Sequence, residues 1–241
     1  MTRLALLTDL HLVPAGETYL GLDPSLRCQA ALAAARAAGA DGYFFLGDYS
    51  FQEPSRAATA QLGALLASLD QPAHLLAGNH DETAMLREML GLPSGPSPHL
   101  DYTVPLGEFT AIVLDSSRKF LDEAQLAWLS VQLATQLQPL LFVHHPPLLL
   151  GVPFMDEQHP LANRSAFLDV LLAYGRPLTV FSGHYHCAVS ASFANVTVFV
   201  VPPTSFYLAP DAKKFLATQQ PPGYALVDLS AGRVCVRLCY A

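Results

Sequence analysis

Five short polar segments, each directly after an apolar run, contain most of the residues in this chain that could carry chemistry. They are Asp9-Leu10-His11, Gly47-Asp48, Gly78-Asn79-His80-Asp81, His144-His145-Pro146-Pro147 and Gly183-His184-Tyr185-His186. Carboxylate, amide and imidazole groups bind divalent cations, and a histidine beside them can donate a proton. Together the five segments predict a hydrolase that uses two metal ions to cleave phosphate esters.

Side chains from all five segments can serve as metal ligands. The two carboxylate oxygens of Asp48 can bridge two cations, and Asn79 offers its amide oxygen. Mixed oxygen and nitrogen donors favour Zn, Mn, Fe or Co over Ca, which prefers oxygen, and over Cu(I), which prefers sulfur. The predicted ligands are Asp9, His11, Asp48, Asn79, His144, His184 and His186.

Two such cations would form the reactive part of the site. Cations about 3.5–4 Å apart hold the attacking and leaving oxygens of an in-line displacement at phosphorus, and a water bridging them loses a proton near neutral pH. The predicted catalytic residues are His80, Asp48 and Asn79. His80 is expected to hydrogen-bond a phosphate oxygen or protonate the leaving alkoxide, and Asp81 to orient and charge-stabilise His80. His145 is expected to support a ligand or contact the substrate.

Each segment alone also has an ordinary structural explanation. Asp-x-His and Gly-Asp after a strand are usually turns, and the His144-His145 pair before two prolines could be a rigid loop. Gly-Asn-His-Asp is the most specific segment, and the occurrence of all five in this order argues against turns alone. His74, His99 and His159 lack such a context, so we interpret them as ordinary histidines.

Length and composition set the class of protein. The chain has 241 residues, of which 51% are hydrophobic and 14% charged, and this suits one large α/β domain over residues 1–241. The net charge of -7 argues against general nucleic-acid binding. No apolar run reaches the ~18 residues of a membrane span, and Leu4–Leu7 is too short for a signal peptide, so we expect a cytoplasmic protein without a membrane partner. None of the four cysteines forms a CxxC pair, which predicts reduced thiols.

The elements that must position these residues alternate along the front half of the chain. Strands are predicted at 4–8, 42–46 and 74–77, and helices at 23–38, 54–69 and 82–90. Residues 91–100 are predicted as a loop. The remaining predicted elements are strands at 102–105, 108–114, 140–143, 178–182, 188–193, 196–201, 224–229 and 233–240, and helices at 122–137 and 163–173.

The polar segments fall at or just beyond the carboxyl ends of predicted strands. Sheets with helices packed on them bind ligands in the crevice outside those strand ends. Segments far apart in the sequence can therefore meet at one site. The strand-rich tail, 206–241, would allow a homodimer.

These motifs resemble the calcineurin-like metallophosphoesterase superfamily, whose hallmark is Asp-x-His, Gly-Asp, Gly-Asn-His-Asp/Glu, a histidine near a proline, and Gly-His-x-His. The resemblance implies a four-layer α/β/β/α sandwich and gives His80 the role of the catalytic histidine that binds no metal. It implies one metal site of Asp9, His11, Asp48 and His186, and a second of Asp48, Asn79, His144 and His184.

Within that superfamily the chain is similar to the class III cyclic-nucleotide phosphodiesterases, a group that includes glycerophosphodiesterases. The likeness outside the metal motifs lies in 113–117 with 125–129, in Met155-Asp156 after the His-His-Pro-Pro segment, and in 202–205. Asp48 is followed by Tyr49-Ser50-Phe51, where small or branched apolar residues are commoner. The segment after Ser117 is shorter than in the group and lacks its usual glycines.

The resemblance implies hydrolysis of a small phosphodiester, either a 3′,5′-cyclic nucleotide or a glycerophosphodiester. A phosphomonoesterase or a nuclease of the same superfamily is the alternative, and the acidic charge argues against the nuclease. A non-catalytic scaffold would be expected to have lost ligands or His80, all of which are present here.

Overall fold

The computed structural model describes residues 1–92 and 97–241. Strands and helices alternate up to Leu90, both kinds of element occur from there to Ser182, and only strands follow Ser182 in the described chain. In chain order they are β1 (Thr2–Leu7), α1 (Pro24–Ala37), β2 (Gly42–Phe45), α2 (Arg56–Ala67), β3 (Ala73–Leu75), α3 (Thr83–Leu90), β4 (Tyr102–Leu106), β5 (Phe109–Leu114), α4 (Glu123–Thr135), β6 (Pro139–Val143), α5 (Pro153–Gln158), α6 (Arg164–Tyr174), β7 (Leu178–Ser182), β8 (Val189–Phe193), β9 (Val196–Val200), β10 (Tyr207–Leu208), β11 (Ala217–Thr218), β12 (Gly223–Ser230) and β13 (Arg233–Tyr240).

Local sequence explains where the helices begin. The Asp23 side chain accepts a hydrogen bond from Leu26 N at 3.0 Å and caps α1, and Pro24 occupies the first turn, where no amide hydrogen is needed. At α4, Asp122 and Gln125 form a reciprocal capping box. These caps lie where the sequence predicts helix starts, because they depend only on neighbouring residues.

Two mixed sheets carry the fold. The first has the strand order β13-β12-β1-β2-β3, and the second has the order β4-β5-β6-β7-β9-β8. Strands β1, β2 and β3 run parallel to one another, as do β5, β6, β7 and β9. The carboxyl ends of the parallel strands therefore lie at one edge of each sheet, and the loops that follow them carry the predicted site residues.

Apolar side chains between the layers hold the sheets and helices together. Between the two sheets, the ring of Phe44 stacks on Phe142 with centroids 4.2 Å apart. A second cluster packs the first sheet against α1, α2 and α3, and a third packs the second sheet against α4, α5 and α6. Burial of one such aromatic side chain contributes roughly 1.5–3 kcal/mol. The layers stack as α/β/β/α, which confirms the predicted fold class.

Three short elements differ from the sequence expectation. Helix α5 and the β10–β11 pair were not predicted, because six and two residues are too short to show a periodic pattern. Of the predicted loop over 91–100, residues 93–96 lie outside the described residues. Among the described residues, no helix combines the length and the apolar character required to cross a bilayer.

Candidate metal centre

The predicted ligands meet in the loops that follow β1, β2, β3, β6 and β7. Ligand atoms within 4.8 Å of one another form two groups, and Asp48 belongs to both. The members are Asp9, His11, Asp48 and His186 in the first group, and Asp48, His144 and His184 in the second. All of these side chains are buried, and Asn79 lines the adjoining cavity. The tertiary structure therefore brings together the side chains of all five segments.

The backbone of these loops is strained at the candidate ligands. Positive φ angles between 44° and 71° occur at Asp9, His11, Asp48, His184 and His186. Non-glycine residues rarely adopt this left-handed conformation, and it persists only where surrounding contacts enforce it. Here, Asp9 N donates to Gly47 O at 3.0 Å and His11 N to Asp48 O at 2.9 Å, which joins the first two loops.

Glycine is required where the loops approach one another most closely. A Cβ atom on Gly183 would lie 2.0 Å from Thr8 Oγ1, and one on Gly78 would lie 2.2 Å from Asp48 Oδ1. These distances are far below van der Waals contact. The glycines of the Gly-Asn-His-Asp and Gly-His-x-His segments therefore allow the loops to pack against the carboxylates of Asp9 and Asp48.

Each candidate histidine ligand turns one ring nitrogen towards a backbone carbonyl oxygen. A carbonyl oxygen only accepts hydrogen bonds, so the outer nitrogen carries the ring hydrogen. In the neutral imidazole the other nitrogen then turns its lone pair towards the centre. The contacts are His11 Nδ1 with Ser50 O at 3.2 Å, His144 Nδ1 with Leu46 O at 2.7 Å, His184 Nε2 with His159 O at 2.9 Å and His186 Nδ1 with Phe206 O at 2.8 Å.

The inward-facing donor atoms lie close together and are poorly satisfied by the protein. His11 Nε2 lies 3.0 Å from His186 Nε2, so two nitrogen lone pairs face each other. His144 Nε2 lies 3.2 Å from Asp48 Oδ2. The contact of His144 Nε2 with Asp48 Oδ2 lacks hydrogen-bond alignment, and among the described residues the buried Asn79 Oδ1 has no hydrogen-bond partner. Buried polar atoms are normally paired, so this donor set fits a pair of divalent cations that share Asp48.

Burial and the charges of neighbouring groups shift the pKa values of the candidate ligands. Burial opposes ionisation of Asp48, but the neighbouring His144 and His11 imidazoles hold the pKa of Asp48 well below its usual range. Burial disfavours the charged form of His144, yet the carboxylate of Asp48 raises the pKa of His144 to about 9. Because metal ligands must be deprotonated, cation binding would release the His144 proton.

Asp81 has a different role from the one expected from the sequence. Its two carboxylate oxygens accept hydrogen bonds from backbone amides of the β2 and β3 loops rather than from His80. The donors are Asp48 N at 2.8 Å, Tyr49 N at 2.9 Å, Gly78 N at 2.9 Å and Ser50 N at 3.3 Å. The expectation that Asp81 orients His80 is therefore wrong, because these amides occupy the carboxylate and it holds the loop of Asp48 instead.

His80 lies at the edge of the cavity above the ligands. Its backbone amide donates to Asp48 Oδ1 at 2.9 Å, and its ring Nδ1 contacts Gln52 O. The other ring nitrogen, Nε2, lies 4.0 Å from Asp48 Oδ2, and the side chain is 30% exposed where Asp48 is 2% exposed. The carbonyl of Gln52 is the orienting partner that the sequence did not reveal, because carbonyls carry no residue-type signal.

His145 supports the centre from within the protein. The residue is 1% exposed, and its Nδ1 lies 2.8 Å from Ser116 Oγ. Its ring centroid is 4.2 Å from that of His184. Of the two roles expected for His145, this position favours support of a ligand over contact with the substrate.

A cavity of about 250 Å³ opens beside the metal-facing atoms. Its walls include residues that sequence reasoning missed, namely Tyr19, Phe51, Lys119, His159 and Phe206. None of them belongs to a chemical motif. Two departures from the family pattern pointed in their direction, namely Tyr49-Ser50-Phe51 for Phe51 and the shortened segment after Ser117 for Lys119. A larger cavity of about 890 Å³, lined by residues such as Trp128 and Tyr102, contains none of the predicted site residues.

Comparison with known proteins agrees with this geometry. The model of the calcineurin-like phosphoesterase family matches residues 2–188. The chain is 31% identical to a protein of Rhodopseudomonas palustris named probable cyclic nucleotide phosphodiesterase, over 98% of this chain and 92% of that protein. It is 30% identical to one of Arcobacter nitrofigilis named probable glycerophosphodiester phosphodiesterase, over 61% of this chain and 57% of that protein.

A solved structure shares the fold. The dimetal phosphatase from Danio rerio superposes with a TM-score of 0.75 at 17% identity, covering 98% of this chain and 95% of that one. The family match extends over β1 to β7, the part of the chain that supplies every candidate ligand. This chain is a member of the calcineurin-like phosphoesterase family.

Proposed function

We propose that this protein hydrolyses small phosphodiesters with two divalent cations held by the seven candidate ligands. The observation that carries the proposal is the convergence of two donor groups on Asp48, with all ligand atoms of each group within 4.8 Å. Zn, Mn, Fe or Co suits these donors. When bound, the two cations supply the positive charge that activates water and neutralises the phosphate.

The protein's own residues position the substrate and move its protons. Asn79 Oδ1 and the ring nitrogens of the centre would hold the cations, while Asp81 keeps the loop of Asp48 in place. His80 Nε2 faces the cavity and is placed to hydrogen-bond the phosphate and donate a proton to the leaving oxygen. Gln52 O fixes the orientation of that ring.

The cavity wall favours a substrate with a planar ring, and we propose a 3′,5′-cyclic nucleotide as the first candidate. The rings of Tyr19 and Phe51 lie 4.1 Å apart, and Phe206 stacks on His186 at 4.2 Å. Aromatic faces stack well on bases and offer little to glycerol. The name of the relative from Rhodopseudomonas palustris supports the same choice.

Glycerophosphodiesters are the second candidate, because a relative from Arcobacter nitrofigilis carries that activity in its name. Nothing in the described cavity favours a phosphomonoester or a nucleic acid. The single domain over residues 1–241, the cytoplasmic location and the homodimer stay predictions.

A chelation and reconstitution assay tests the proposed function. We expect the chelated protein to be inactive towards bis(p-nitrophenyl) phosphate and Mn, Co or Zn to restore activity. The reconstituted protein is then compared on cyclic AMP, a glycerophosphodiester and a phosphomonoester. Activity that survives thorough chelation would falsify the two-metal proposal, and faster turnover of the monoester would overturn the assignment to diesters.

Substitution of the shared carboxylate provides a second test of the same centre. We expect Asp48→Asn to lower the occupancy of both metals in elemental analysis, because the bridge loses its charge. Asp169→Asn removes the same charge from an exposed position of α6 and should leave both metals bound. Loss of only one metal from Asp48→Asn would show that Asp48 is not a bridge.

A further inference from the structure

One lysine lines the cavity of the metal centre and has no carboxylate partner. The chain contains three lysines, Lys119, Lys213 and Lys214. Of these, only Lys119 lines the cavity that contains Asp48 and His80. Over residues 1–92 and 97–241, the ion pairs that arginine or lysine forms with carboxylates all use arginine. The ammonium group of Lys119 is therefore not paired with a carboxylate of the described residues.

The backbone holds Lys119 in a strained position. Its φ is +59°, in the left-handed region that glycine adopts without cost. Its amide donates to Ser116 O at 2.8 Å, and its carbonyl accepts from Ala162 N at 2.9 Å, so the residue is held from both sides. These two contacts fix the position from which the Lys119 side chain leaves the backbone.

Three aromatic side chains of the cavity, Tyr19, Phe51 and Phe206, form what we call the aromatic wall. Lys119 and the aromatic wall lie beside different ligand groups. Phe206 stacks on His186, and its ring lies 5.4 Å from that of His11, so the wall belongs to the first ligand group. Lys119 lies near His159, whose carbonyl accepts from His184 of the second group at 2.9 Å.

We propose that Lys119 is a specificity-determining residue that binds a second phosphate of the substrate, separate from the phosphate that is cleaved. Among open-chain nucleotide phosphodiesters, we then expect a preference for those that carry one additional phosphate. The proposal rests on the proposed function. A phosphate at neutral pH carries nearly two negative charges and accepts strong charge-assisted hydrogen bonds from an ammonium group.

A pair of chromogenic substrates isolates this contact. Thymidine 5′-(p-nitrophenyl phosphate) and its 3′-phosphorylated form share the cleaved bond and the leaving group, and they differ by one phosphate. With manganese-loaded protein, we expect the additional phosphate to lower KM about fivefold, as for a charge-assisted contact made by an exposed side chain. Lys119→Met should abolish this difference in KM, and Lys119→Arg should retain most of it.

The matched control is Lys213→Met, which removes the same charge from an exposed residue outside the cavity. It should preserve the fivefold ratio. Equal KM values for the two substrates in the wild type, or an unchanged ratio in Lys119→Met, would overturn the proposal. An equal loss of the KM ratio in Lys213→Met would also overturn the proposal, because the effect would then come from the overall charge of the protein.

Binding without turnover separates this proposal from the proposed function. Calorimetric titration of the manganese-loaded protein compares thymidine 3′,5′-bisphosphate with thymidine 5′-phosphate. We expect about fivefold tighter binding of the bisphosphate in the wild type and equal Kd values in Lys119→Met. A preserved Kd ratio in a protein that cleaves neither substrate would support the role of Lys119 and reject the hydrolase. Turnover without any difference in Kd would support the hydrolase and reject the role of Lys119.

Discussion

At the scale of single residues, the two nitrogens of each imidazole have different partners. In His144 the outer nitrogen contacts Leu46 O at 2.7 Å, while the inner one lies 3.2 Å from Asp48 Oδ2. The residue types were predictable from the motifs, but the carbonyl partners were not, since every residue has a carbonyl. Asp81 illustrates the same limit, because its partners are four backbone amides.

His80 provides the prediction at this scale. The side chain borders the cavity and is not in either ligand group, so His80→Ala should retain both metals. Loss of a positioned proton donor should reduce kcat by about 10²–10⁴-fold. Metal content is measured by elemental analysis and kcat with bis(p-nitrophenyl) phosphate. Full activity in the variant, or loss of metal, would remove the role assigned to His80.

At the scale of elements, the carboxyl ends of β1, β2, β3, β6 and β7 determine where the site forms. The positions of these strand ends could be predicted, because apolar runs end where the polar segments begin. The distance between two strand ends could not, because it depends on how the two sheets pack. The distance between the β7 loop and the β1 loop, where Gly183 packs against Thr8, is one that only the packing of the sheets determines.

The prediction at this scale is the effect of Gly183→Ala. The new Cβ would meet Thr8 Oγ1 at 2.0 Å and Asp9 Oδ2 at 2.9 Å, so the two loops must separate. We expect lower metal content and a free energy of unfolding reduced by about 1–3 kcal/mol, as in overpacked sites. Elemental analysis measures the metal content, and urea titration measures the free energy of unfolding.

A substitution in β2 serves as the control for Gly183→Ala. A Cβ at Gly42 would make ordinary contacts at 3.5 Å with Leu4 Cδ2 and Pro72 O. Gly42→Ala should therefore keep its metals and most of its stability. Normal metal content in Gly183→Ala would contradict the tight packing of the two loops.

At the scale of the whole molecule, the tail completes the first sheet. Strand β12 pairs with β1 in antiparallel register, from Thr2 opposite Leu229 to Leu6 opposite Ala225. The family match ends at residue 188, so this pairing joins later residues to the start of the matched region. The core between the sheets contains side chains from the matched region, such as Leu6 and Phe142, and from the later residues, such as Val227.

We therefore expect a single unfolding transition in calorimetry, as for one cooperative domain. Manganese at about 100 times its Kd should stabilise the protein by about 2.7 kcal/mol and raise Tm by about 5–10 °C. Calcium serves as the control and should shift Tm little, because it prefers a site made of oxygen ligands alone. Two transitions, of which manganese shifts only one, would contradict a single domain.

The sequence by itself determined the residue types of the metal centre, the alternation of strands and helices, and the strand ends at which the ligands lie. These features follow from local patterns of apolar and polar residues, which are written in the order of the chain. Only the tertiary structure decided which atoms of those residues face the centre, that Asp81 holds a loop, and that Lys119 and the aromatic wall border the cavity. Such relations depend on contacts between residues far apart in sequence, and only the packing of the two sheets brings those residues together.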